Sequence, residues 1–279
     1  MTKPLRILLV GGHPADAFDN AGGTLCHHAQ DGDQVTTLVL TQGSRVHDVV
    51  ISQEMSQRER VPEAEELKAL MAERVKVKRQ EIIAASALLN IHDVRFLEFD
   101  DAVLTVNERV ILEVARVLRE VRPHIVITHW PGERGGLDQH AITGQITMLA
   151  ISAAGSVYPG DPNPPHHVTQ VFFMGTPSCL MQRDVWNTQS AVYADVIIDI
   201  SDVIERKLRA LDTLKSQGYN GLYARKRIEA VDGTTGFFAS GGQSAYAESF
   251  MRMNAETHRR LPVTERALEW TELPEGERF

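Results

Sequence analysis

The chain has 279 residues, is 43% hydrophobic and 6% aromatic, and carries a formal net charge of -8 at pH 7. That composition describes a globular chain with ample core, and its acidic balance argues against a general binder of nucleic acid or of anionic membranes. Its two cysteines, Cys26 and Cys179, lie far apart without CxxC spacing, which indicates neither a disulfide framework nor a zinc knuckle and fits a reducing cytoplasm. No signal-like segment opens the chain and no stretch approaches ~18 apolar residues, so neither export nor membrane spanning is expected.

In chain order, residues 5–10 read as a buried strand, 21–30 as a helix, 34–40 as a second strand and 42–61 as an irregular segment. A long charged helix over 63–89 follows, then a strand at 94–99, a helix over 108–121 ending before Arg122-Pro123, and a continuous apolar strand at 125–128. A loop over 129–136 leads to a helix from about 140 to 154. Beyond it, 158–167 is Pro-rich and turn-like, 171–174 and 194–200 read as strands, 202–217 as an amphipathic helix and 233–242 as a Gly- and Ser-containing loop. The βαβ rhythm predicts one α/β domain, residues 1–259, with a mostly parallel sheet covered by helices, followed by a polar tail over 260–279.

The first strand runs into His13-Pro14-Ala15-Asp16. A His and an Asp three residues apart at the carboxyl end of a strand are two ready-made metal ligands, placed where open α/β sheets build their sites. The bland alternative is a turn in which Asp16 caps the next helix and His13 packs. His27-His28 reads as a partly buried polar pair, His166-His167 as loop, Cys26 as a small buried hydrophobe, and Gly22-Gly23 as a place where the helix packs tightly.

An ordered set of segments now joins these: HPADAFDNAGGTL, residues 79–89 followed by Phe96-Leu97 and Asp100-Asp101, RPHIVITHWP, the later DQH, DISDVIERKLRALDTLKSQ, and residues 246–250. Together they resemble the PIG-L or LmbE-like zinc deacetylase superfamily over residues 5–251. The resemblance implies a Rossmann-like sheet with helices on both faces, one Zn2+ per chain, removal of N-acetyl groups from sugar-linked small molecules, and often a homo-oligomer. It makes His13, Asp16 and His140 the metal ligands. Two imidazoles and a carboxylate also suit a catalytic site on chemical grounds, because they leave open positions for water or substrate.

Three departures limit the transfer. The superfamily's first acid after HP, its general base, is Ala15 here; its auxiliary histidine is replaced by Leu137; and the helix that usually ends near HxSQ has Leu214-Lys215-Ser216-Gln217. Ala at that position followed by AGG is similar to the 4-oxalomesaconate hydratase branch, whose base is a glutamate from a loop aligned with residues 43–48. In this chain His47 or Asp48 would take that role, an imidazole being a competent proton acceptor at neutral pH; Glu133 and Asp138 are the other candidates for the catalytic base or acid. Arg45 and Arg134 suit an anionic substrate group, and Asp101 and His129 complete the candidate substrate contacts. Three functions stay open: an amide hydrolase with a relocated base, a hydratase of a small unsaturated polycarboxylate, or a metal-binding homologue without catalysis.

Overall fold

The computed structural model describes residues 3–57, 63–175, 194–239 and 244–274. Cys179, residues 240–242 of the Gly/Ser segment and residues 275–279 of the tail therefore lie outside the described residues. Strands β1 (Arg6–Gly11), β2 (Gln34–Thr41), β3 (Asp93–Phe99), β4 (Ile125–His129), β5 (Gln170–Met174), β6 (Val196–Asp199) and β7 (Ala247–Arg252) form one sheet in the order β3-β2-β1-β4-β5-β7-β6. The first five are parallel, and β7 runs antiparallel to both β5 and β6. This is the mostly parallel α/β architecture read from the βαβ rhythm, folded as a single domain.

Helices α1 (Asp16–Gln30), α3 (Ala64–Leu88) and α6 (Ile204–Asp212) belong to one face, where Ile7, Leu9, Phe18, Leu25, Ile82, Leu89 and Leu211 form the larger core. Helices α4 (Glu108–Val121) and α5 (Gln139–Ala154) cover the other face over Leu8, Val10, Leu38, Val114, Leu118 and Ile146. Burial of both faces explains why β1 and β4 read as apolar runs. From β1 the chain goes outward through β2 to β3, then returns to β4 and β5 on the other side. The crevice at the carboxyl ends of β1 and β4 is the switch point where open α/β sheets bind ligands.

The remaining helices are α2 (Val49–Gln57), α7 (Leu222–Ile228) and α8 (Glu265–Glu272). Helix α2 corrects the expected irregularity of residues 42–61: Asp48 accepts from the amides of Val50 and Ile51 and starts it, a local cap that no hydrophobic period announces. Helix α1 begins at Asp16, five residues before the apolar period suggested. The helix expected over 202–217 ends at Asp212 and resumes as a short 3-10 turn at Lys215–Gln217. Residues 229–233 and 235–239 are π-helical turns, the second lying in the stretch 233–242 expected as loop, with Asp232 buried against Lys207, Nζ to Oδ2 2.7 Å. His166, expected in an open loop, is buried and bonds the Pro123 carbonyl at 2.7 Å through Nε2.

Close packing fixes where the ligand-bearing turns lie. A Cβ on Gly144 of α5 would collide with the His129 carbonyl, and one on Gly12 would meet Thr143 Oγ1 at 2.5 Å, so glycine lets α5 lie against the ends of β1 and β4. Among the described residues, no helix is long and apolar enough to cross a membrane.

Candidate metal centre and cleft

His13 and Asp16 stand on the β1–α1 turn and His140 in the first turn of α5, and one ligand atom from each lies within 4.8 Å of the others. Asp16 does not cap α1. Its Oδ2 accepts from the His13 amide at 2.7 Å and from His129 Nε2 at 2.9 Å, while Oδ1 lies 3.6 Å from His140 Nε2. His140 Nδ1 is 3.3 Å from Glu133 Oε1, and the His129 and His140 rings stack at 4.1 Å. His129 and Glu133 thus back the candidate ligands Asp16 and His140, in the manner of the outer hydrogen bonds that fix ring tautomer and carboxylate orientation at metal sites.

Two imidazoles and a carboxylate converging this closely fit a zinc-type catalytic ion, with coordination positions left for water or substrate. His129, Glu133 and His140 also converge within the same limit. The first set is the better site because His13, Asp16 and His140 all line one cleft, whereas His129 is fully buried. Burial disfavours the Asp16 carboxylate, but His129, His140 and His13 outweigh it and hold its pKa well below the usual range. Burial likewise opposes charge on His140; Asp16 and Glu133 overcome it and push its pKa up to about 11. At His129 burial wins, and its pKa is lowered.

The cleft has two chambers that share Asp19 and His140. The first, about 300 Å³, is lined by His13, Ala15, Asp16, His47, Gln217 and Tyr219 among others. The second, about 340 Å³, is walled by Glu133, Arg134, Arg227 and Asp232. Ala15 is buried in the first chamber's wall with no acid in its place. In the same chamber the His47 ring lies 4.1 Å from that of His13, tilted by 44°. His47 Nδ1 is 3.6 Å from Asp101 Oδ2, long for a hydrogen bond but within ion-pair reach.

Several predicted site residues have other tasks. Asp48 lines the first chamber, yet besides capping α2 it faces Arg74 Nε at 3.1 Å and Lys78 Nζ at 3.3 Å, so its charge is compensated. Asp101 is fully buried and accepts from the amides of Arg45 and Val46, which shapes the 45–47 loop. Arg45 turns outward to Asp100, with NH1 to Oδ2 2.7 Å. Asp138 caps α5 through the His140 amide and pairs with Arg134 at 3.0 Å. His129 is 1% exposed and contacts Asp16, not the cleft. Glu133 and Arg134 do face the second chamber.

Sequence reading missed Gln139, Asp19, Tyr219 and Arg227. Gln139 Oε1 is 2.7 Å from His13 Nε2, a contact signalled only by its place next to His140. Asp19 lies one turn after Ala15 on α1 and is held by Arg227 NH2 at 2.7 Å and the Tyr219 hydroxyl at 3.3 Å. His27 and His28 pair with Asp202 and Asp33, which gives both rings acceptors and no role at the centre.

The model of the family described as PIG-L: GlcNAc-PI de-N-acetylase matches residues 8–151. A Rhodococcus jostii (strain RHA1) protein, 1D-myo-inositol 2-acetamido-2-deoxy-alpha-D-glucopyranoside deacetylase, is 28% identical over 248 residues, covering 76% of this chain and 81% of that protein. Among solved structures, GalB, the 4-carboxy-2-hydroxymuconate hydratase of Pseudomonas putida KT2440, superposes with a TM-score of 0.68 at 20% identity over 92% of this chain and 99% of its own. The N,N'-diacetylchitobiose deacetylase of Pyrococcus horikoshii gives 0.67 at 18% identity, over 88% of this chain and 83% of its own. At those identities the two structures speak for the fold alone.

Proposed function

This chain belongs to the PIG-L family, described as GlcNAc-PI de-N-acetylase, and from that premise we propose a zinc-dependent amide hydrolase that removes N-acetyl groups from a small sugar-linked molecule. His13, Asp16 and His140 hold the ion in this reading. When bound, the ion lowers the pKa of water toward ~7 and polarises the scissile carbonyl oxygen.

The observation that carries the proposal is the His47 ring beside His13, in the chamber that Ala15 also lines, and next to the buried Asp101 carboxylate. A base must lie within reach of the water it activates, and the family's acid is missing at residue 15. His47 takes over: with Nδ1 facing Asp101, its other nitrogen accepts the water proton as the water oxygen bonds to the carbonyl carbon. Asp101 steadies the imidazolium so formed. His47 then returns the proton to the amide nitrogen as the C–N bond breaks, releasing amine and acetate. His129 and Glu133 keep Asp16 and His140 oriented throughout.

Ala15 in the cleft wall also supports a second reading, a hydratase in which His47 prepares water for addition to a small unsaturated polycarboxylate. One experiment separates the two. Protein stripped with a chelator and reloaded with zinc is assayed against N-acetylated amino sugars and against unsaturated tricarboxylates. Zinc-dependent acetate release is expected; water addition to the tricarboxylates without acetate release would replace this reading by the second.

A further inference from the structure

Lys78 is a buried charge that the proposed chemistry does not use. It lies on the long helix α3 with its side chain 2% exposed. Its Nζ donates to the His47 carbonyl at 2.7 Å and to Ser216 Oγ at 3.1 Å, and lies 3.3 Å from Asp48 Oδ2. The Ser216 carbonyl lies 3.4 Å away as a further, longer acceptor, so the three ammonium protons are all engaged.

The acceptors belong to two segments that both contribute to the first chamber. His47 and Asp48 end the loop after β2, and Asp48 goes on to start α2. Ser216 belongs to the turn after α6, which presents Gln217 and Tyr219 to the first chamber. Glu81, one helical turn after Lys78, fixes the same turn by accepting from the Ser216 hydroxyl at 2.6 Å and its amide at 3.0 Å. Asp48 has Arg74 as a second cation at 3.1 Å, whereas Lys78 is the group that grips the His47 main chain from below. Asp101 acts from the other side, through the amides of Arg45 and Val46 and the Nδ1 face of the His47 ring.

We propose that Lys78 is a positioning residue for His47: by fixing the His47 carbonyl and tying that loop to the Ser216 turn, it sets the distance between the imidazole and the water beside His13. The inference rests on the reading of His47 as base. Rigid support of this kind matters because displacement of a reacting group by about 1 Å costs on the order of 100-fold in rate.

The test is a double-mutant cycle on the zinc-loaded enzyme with the N-acetyl substrate that it turns over. Lys78→Met is nearly isosteric and leaves Asp48 its pairing with Arg74. Expected is a fall in kcat of about 100-fold, with KM and zinc content unchanged, and no further fall when Lys78→Met is added to His47→Ala. Equal losses of kcat in both backgrounds, or wild-type kcat in Lys78→Met, would overturn the positioning role while leaving His47 as base. Full kcat in His47→Ala would remove both. If Lys78→Met does not fold, Lys78→Gln keeps one donor for the His47 carbonyl and enters the same cycle, with a smaller loss expected.

Discussion

Replacing Asp101 by Asn tests whether a buried carboxylate builds the loop that carries His47. Asp101 is fully buried, and its oxygens accept from the amides of Arg45 at 3.0 Å and Val46 at 2.7 Å. A hydrogen bond to a charged acceptor contributes about 1.5–3 kcal/mol, and Asn retains one acceptor oxygen, so Asp101→Asn should lower stability by about 2–3 kcal/mol at pH 7. Burial opposes ionisation of Asp101, but His47 and the amides of Val46 and Arg45 outweigh it and hold its pKa well below the usual carboxylate range. A depressed folded-state pKa gives stabilisation that is complete above the unfolded group's titration near ~4 and is lost as pH falls toward the folded value. The gap between wild type and Asp101→Asn should therefore narrow by roughly 0.7 kcal/mol between pH 7 and pH ~3.5. Urea unfolding at the two pH values reads both quantities. A difference under ~0.5 kcal/mol at pH 7, within the range of ordinary surface changes, or a gap that does not shrink on acidification, would refute the reasoning.

Further predictions concern the metal, the missing acid and the core. His13→Ala and Asp16→Ala should each lose tight zinc retention, measured by elemental analysis after gel filtration; full zinc in both would remove the assigned ligands. Ala15→Asp, which returns a carboxylate to the cleft wall, should restore acetate release to His47→Ala; an equally inactive double variant would show that proton transfer from that side is not what His47→Ala lacks. In Gly23→Ala the new methyl would meet Ile200 Cγ2 at 2.5 Å, so overpacking between α1 and the β6 end should cost about 1–3 kcal/mol in thermal unfolding; an unchanged melting temperature would show that the contact relaxes freely.

The sheet was legible because central parallel strands such as β1 and β4, buried on both faces, are apolar runs, and their helices must repeat at helical spacing. The convergence of His13, Asp16 and His140 was legible because HPxD sets the first two at a strand end and the family resemblance adds the third at a helix start. Carboxylates in the loops were not: Asp48, Asp101 and Asp138 read equally well as catalytic groups or as caps and ion-pair partners, and only their neighbours decide, Arg74 and Lys78 for the first, loop amides for the second, the His140 amide and Arg134 for the third. Lys78 was hidden in a helix that reads as a charged solvent face. Its spacing to Ile82, Ala85 and Leu89, all buried, is the signal that places it on the inward side. Gln139 carries no signal beyond its neighbour, because an amide that bonds an imidazole across 126 residues has no local pattern.

Acetate release by zinc-loaded His47→Ala, with zinc content measured on the same sample, tests the central claim most directly. Retained zinc with kcat reduced by 100-fold or more, within the range that general-base catalysis supplies (~10²–10⁴), is the predicted result. Retained zinc with wild-type kcat would contradict it and leave the proton to another group of the cleft.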